Sequence, residues 1–207
     1  MIKELPPSQV KALKDILFAT DDVTYAVVDS ALSNDVHVTV QTEALDYRCL
    51  YEGKEADLLE EVAPYLVQLE RDDYLTNWLF KTVYKKNAIS FIQSSADIES
   101  LAYHLRQYAK IQAVTHGDDG KLTKQWAFFA FYDPRVFPRF MKGNTIEQSA
   151  EFFEGINQYL CESTDEDKNE LHSYHYSEKN QEITKKYFDL EENIEPKESK
   201  QVENKNG

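Results

Sequence analysis

Glycine is scarce in this chain, six in 207 residues. Neither a Gly-rich phosphate loop nor a Gly-x-Ser-x-Gly elbow is present. Cysteine is scarcer. Cys49 and Cys161 lie far apart in apolar surroundings, so no disulfide framework is indicated, and neither has a flanking base to activate a thiol. No apolar run approaches the ~20 residues that span a bilayer. Met1–Pro7 also lacks a core of signal-peptide length. Basic residues are outnumbered, 23 Lys and Arg against 37 Asp and Glu, for a formal charge of -14. Nucleic acid and anionic membrane are therefore not expected as partners, because both need a basic excess. A soluble protein in a reducing cytoplasm is the expectation.

The five histidines select no catalytic triad. His172-Ser173-Tyr174-His175, with Cys161 upstream, is the one metal-like cluster, and it falls short of zinc's usual four ligands. No catalytic residue, metal or cofactor is expected.

Aromatic rings are abundant, at 13% of residues. They concentrate in Gln125–Met141, whose run Trp126–Tyr132 is apolar without alternation. Such a run suits a strand covered on both faces, although periodicity alone leaves helix open. The stop at Asp133-Pro134 and the ring content favour a central strand. Asp133, held extended by Pro134, can cap the next turn, and Arg135 offers it a planar fork. Tyr132-Asp133-Pro134-Arg135 thus reads as a rigid polar outlet, structural before catalytic. Beyond it Arg135, Phe137, Arg139 and Phe140 alternate charge and ring. They read either as partner-binding groups or as core rings beside solvated arginines.

In chain order, Ser8–Phe18 reads as a helix with Ser8 as N-cap, and Thr24–Ala31 as a strand closed by Asp29. In that strand Tyr25 and Val27 take one face, Ala26 and Val28 the other. Val36, Val38 and Val40 alternate with polar residues, the signature of a half-exposed strand. A short strand over Asp46–Tyr51 and a helix over Glu55–Val62 follow. Pro64 ends that helix before the strand Tyr65–Leu69. Asp72–Tyr84 reads as helix, Ala88–Gln93 as strand and Asp97–Lys110 as helix, with Ser94 and Ser95 as its cap. Gly117–Gly120 marks a turn. Thr145–Cys161 and Glu182–Leu190 read as helices. The expected fold is mixed α/β: a central sheet flanked by helices over residues 1–143, a smaller helical C-terminal lobe over 144–192, and a disordered charged tail over 193–207.

Six short segments, in this order, resemble the type VI secretion effector adaptors (Tap or TEC proteins). They are Tyr25–Ala31, Cys49–Gly53, Ala63–Leu69, Ser94-Ser95, His104-Leu105-Arg106 and Phe131–Val136. In one place the chain departs from that pattern: an arginine often precedes the last element, where Phe128, Phe129 and Ala130 stand here. The resemblance implies a non-enzymatic cytoplasmic adaptor or chaperone. It would bind the N-terminal region of a cognate effector and load it onto the VgrG spike protein. The motif positions are Asp29, Pro64, Tyr132, Asp133, Pro134 and Arg135. A reading from another class, motivated by the charge of -14, is an acidic immunity or inhibitor protein that mimics nucleic acid. A mimic should spread carboxylates over its folded domain, whereas much of the acid excess here is expected to fall in the tail.

Overall fold

The computed structural model describes residues 5–116, 121–165, 167–191 and 193–198. Helix α1 (Pro7–Leu17) leads into strand β1 (Val23–Asp29), helix α2 (Asn34–Glu43), strand β2 (Tyr47–Cys49), helix α3 (Gly53–Leu59) and strand β3 (Pro64–Leu69). Helix α4 (Tyr74–Thr82), strand β4 (Ile89–Ser94) and helix α5 (Ile98–Ala109) follow. Next come strands β5 (Lys110–His116) and β6 (Leu122–Phe128), then helices α6 (Phe137–Gly143) and α7 (Ile146–Phe152). Strands β7 (Gln158–Glu162), β8 (Glu170–Ser177), β9 (Glu182–Asp189) and β10 (Asn193–Glu198) complete the described chain.

Eight strands form one sheet in the order β10-β9-β8-β7-β4-β1-β3-β2, with antiparallel neighbours throughout. Mixed α/β is thus the fold class. Strand β1 is an inner strand, hydrogen-bonded on both edges and buried on both faces. Its alternation separates two cores. Ala26 and Val28 meet Leu13 and Leu17 of α1, Val36 and Val40 of α2, and Leu75, Leu79 and Phe80 of α4. Tyr25 and Val27 face the second core, with Leu101 and Leu105 of α5, Phe137 and Met141 of α6, and Phe152 of α7.

Several expectations are corrected. The run Trp126–Tyr132 is no central strand. Its first half ends β6, which pairs among the described residues with β5 alone, while Phe131 and Tyr132 leave the strand and enter the core. Val36–Val40 is helical: residues four apart share a helix face as surely as residues two apart share a strand face, and Val38 is left exposed. The 144–192 segment is not a helical lobe. α7 stops where Gly155 adopts φ +73°, and β7, β8 and β9 extend the main sheet beside β4. Register with β8 along its whole length makes Glu182–Asp189 a strand, overriding local helical preference. Of the charged tail, Asn193–Glu198 is β10, paired with β9, and residues 199–207 lie outside those described.

Smaller corrections concern caps. Asp97, not Ser94 or Ser95, caps α5 by accepting from the Ser100 amide at 2.9 Å. α1 begins at Pro7 with no side-chain cap, so Ser8 lies inside it. None of α3's residues is buried, and Leu58 is open to solvent. The expected turn Gly117–Gly120 lies outside the described residues. No helix among those described is long and apolar enough to cross a membrane.

Candidate partner-binding surface

The predicted motif residues converge at one end of the sheet. Asp29 ends β1 opposite Pro64, the first residue of β3. Its Oδ1 accepts from the Ala31 amide at 2.9 Å and so caps a short 3-10 turn. Burial raises the Asp29 pKa; the Asp133 charge adds to the rise, while the Ala31 bond and Arg135 oppose it. The Pro64 carbonyl accepts from the Leu50 amide at 2.9 Å, and the Ala63 carbonyl from the Ser30 amide at 3.3 Å. Arg106 donates through Nε and Nη2 to the Cys49 carbonyl at 3.1 and 2.8 Å. Four of the six segments carrying the resemblance, Tyr25–Ala31, Cys49–Gly53, Ala63–Leu69 and His104-Leu105-Arg106, are therefore bonded to one another.

Asp133 is closed in the same way. Its carboxylate accepts from the Arg135 amide at 2.8 Å and from the guanidinium at 2.6 Å through Nη2 and 3.0 Å through Nε. Its carbonyl accepts from the amides of Val136 and Phe137 at 2.9 and 3.0 Å. Pro134 supplies the fixed φ that turns the chain here. The pair foreseen from the sequence thus exists as a lock on the turn into α6. Burial, aided by the Asp29 charge, pushes the Tyr132 phenol far up and that of Tyr51 to about 12. Both phenols therefore stay protonated.

Of the residues expected to touch a partner, Phe137 is 0% exposed. Its ring stacks on Tyr159 at 3.6 Å between centroids and meets Phe152 and Tyr174 edge-on or tilted. Phe137 is therefore corrected to core. Phe140 is half-buried against Phe129, Tyr108 and Phe152. Arg135 and Arg139 are exposed. The core reading of the rings, with solvated arginines, holds for this turn.

The histidines of the metal-like cluster separate: an odd spacing on β8 sends His172 and His175 to opposite faces. His172 Nε2 lies 3.2 Å from Glu170, and His175 Nδ1 bonds the Asn157 carbonyl at 2.8 Å. Among the described residues, no three His, Cys, Asp or Glu side chains group as metal ligands. Burial pushes the Cys161 thiol to about 12 and raises that of Cys49.

What sequence reasoning missed is the ribbon β5–β6. In its register Gln112 faces Trp126, Val114 faces Lys124 and Lys110 faces Phe128. Residues directly opposite one another share a face. Val114, Leu122, Lys124, Trp126 and Phe128 therefore form one side, its apolar members exposed by 54, 65, 64 and 47% for Val114, Leu122, Trp126 and Phe128. The alternation Leu122, Lys124, Trp126, Phe128 was legible, but the apolar run beginning at Trp126 obscured it. At the root, Phe128 packs on Tyr51 at 4.4 Å between centroids. Lys110 donates to Glu55 at 2.5 Å and stands over the Phe128 ring. A cleft of about 170 Å³ opens there between Leu50, Tyr51, Glu52, Arg106 and Phe128.

Against known proteins, one family matches. The model for DUF4123, a domain of unknown function, aligns with residues 24–151, from the first residues of β1 to α7. No curated protein and no solved structure matches the chain. The matched stretch holds all six motif segments, the Asp133–Arg135 lock and the β5–β6 ribbon, and the chain belongs to the DUF4123 family.

Proposed function

We propose that this protein is a cytoplasmic adaptor that grips another polypeptide and performs no reaction, and that its cargo is a type VI secretion effector delivered to the VgrG spike. One observation carries the reading: the ionisable groups of the motif segments are held by partners within those segments. Asp133 is closed by Arg135, Asp29 by the Ala31 amide, and Arg106 by the Cys49 carbonyl. Groups so closed build a scaffold and leave little to polarise a substrate. The family match and the order of the six segments support the same role. Effector and adaptor genes usually lie side by side in the proteins this chain resembles, which supplies the test. Co-expressed with the protein encoded beside it, the chain should co-purify with that protein and keep it soluble. Equal solubility and equal secretion of that protein in a deletion strain would sink the adaptor reading.

The acidic inhibitor keeps one point in its favour. The acid-rich region beyond Gly143 is largely folded strand, so Glu170, Glu182 and Asp189 sit on the sheet and not on a tail. Binding to a DNA-processing enzyme that vanishes with added salt would select this reading.

A further inference from the structure

A two-stranded ribbon in water is marginal by itself. This one nevertheless turns Val114, Leu122, Trp126 and Phe128 to solvent on one side. Both strands are tied to the body at the root of the ladder, β5 by running on from α5 at Lys110 and β6 through Phe129, whose amide donates to the Ala109 carbonyl at 2.9 Å. Among the described residues β6 pairs with β5 alone, so no strand lies along its outer edge. Residues 110–116 and 121–128 carry Lys110, Lys121 and Lys124 and no acid, in a chain of formal charge -14. Lys124 sits between Leu122 and Trp126 along its strand face and opposite Val114.

Resting on the adaptor reading, we propose that the ribbon holds its cargo by strand addition. An extended cargo segment pairs with the outer edge of β6, setting an acidic side chain against Lys124 and apolar side chains against Leu122, Trp126 and Phe128. The period-2 geometry of a strand fixes this spacing: on the face that meets the rings, the acidic position has an apolar position two residues away on either side, and a further apolar position lies two residues beyond the one that meets Trp126. Main-chain bonds supply generic affinity, and the single carboxylate supplies register. The aromatic pair Trp126 and Phe128 gives the buried anchor that such interfaces use. The cleft at the root, beside Phe128 and Tyr51, can receive the side chain at the end of the segment.

Charge argues for a protein segment over an anionic bilayer. The ribbon is basic, but the body behind it is acidic and would be repelled by a lipid surface of the same sign. A second copy of the chain would set lysine-bearing ribbons against each other and bring two acidic bodies together.

The experiment titrates a labelled synthetic peptide, apolar-Thr-apolar-Thr-Glu-Thr-apolar with blocked ends, against the full chain by fluorescence anisotropy. A control peptide carries Lys for Glu, and the reversed order covers the parallel orientation. Binding in at least one orientation is expected, weakened at least tenfold by the control peptide and by Trp126→Ala. Lys124→Glu should invert the preference between the two peptides. The melting temperature of Trp126→Ala should match that of the parent, which separates lost binding from lost fold.

Absence of binding in both orientations overturns the proposal, as does equal binding of both peptides or by both proteins. So does a concentration-dependent dimer that Trp126→Ala returns to monomer, or tighter binding to phosphatidylserine vesicles than to the peptide. If the peptide test fails while the neighbour-encoded protein still co-purifies, strand addition falls and the adaptor reading stands.

Discussion

Trp126 and Phe137 come from the same ring-rich stretch and end in opposite surroundings, one 64% exposed and the other 0%. Phe137 opens α6 against Tyr159 and Tyr174, under a sheet whose strands there are paired on both edges. Trp126 sits on β6, which has one described neighbour and projects from the body. An apolar residue is buried only where a second layer covers it, and the ribbon has no such layer among the described residues. Rings in the body therefore contribute to stability, whereas rings on the ribbon are available for association.

The most severe test of that contrast removes a ring from each side. Phe137→Ala deletes a stack on Tyr159 and the contacts with Phe152 and Tyr174, inside a core with little freedom to collapse. A loss of about 3–5 kcal/mol is expected from chemical denaturation, the usual cost of such a deletion. A loss below about 1 kcal/mol would mean that the α6 core is loosely packed, and the contrast would break there.

A charge sharpens the comparison at intermediate size. Glu162 ends β7 at 2% exposure and accepts from the Asn87 amide at 2.7 Å. Burial lifts its pKa from 4.5 to about 7, against the Asn87 bond and the Lys85 charge, with Asp133 adding to the rise. Because the folded value exceeds the unfolded one, the folded protein holds the extra proton between about 4.5 and about 7. The stability linked to that proton is fully present below about 4.5 and is lost as the pH climbs through about 7. Glu162→Gln keeps the acceptor and removes the titration. Urea denaturation at pH 5 and pH 8 should give a smaller pH-dependent loss for the variant, by at most about 3 kcal/mol. An unchanged difference would show that Glu162 is hydrated in the folded protein.

How far the sequence reveals this molecule depends on whether a pattern fits one period or two. β1 was legible down to its faces, since Tyr25 and Val27 alternate with Ala26 and Val28 and so put apolar residues on both sides of one strand. The Asp133–Arg135 lock was legible because Pro134 and a two-residue spacing leave few other geometries. Val36, Val38 and Val40 satisfy the strand period, and Val36 with Val40 satisfies the helix period, so α2 was misread. Phe153, Ile156 and Leu160 mimic a helix stripe, which the end of α7 at Phe152, the positive φ of Gly155 and the pairing of β7 with β4 and β8 break. β9 was hidden for another reason: its strand state depends on pairing with β8, a long-range contact that local pattern does not encode. The exposed ribbon was hidden by composition, because an unbroken apolar run reads as a buried one.

The smallest expected effect bears most directly on that last point. Trp126→Ala should change folding stability by no more than about 0.5 kcal/mol, the range for an exposed site away from caps and networks. The chain has two tryptophans, and Trp78 is half-buried against the first core, so its fluorescence still reports unfolding once Trp126 is gone. Denaturation of the variant followed through Trp78 should superimpose on that of the parent followed by circular dichroism. The lost part of the parent's emission should be the red-shifted component of a ring in water. If stability instead fell by about 2 kcal/mol, Trp126 would be covered in the isolated chain. The ribbon would then need no partner to complete it, and the difference between the two regions would be one of degree only.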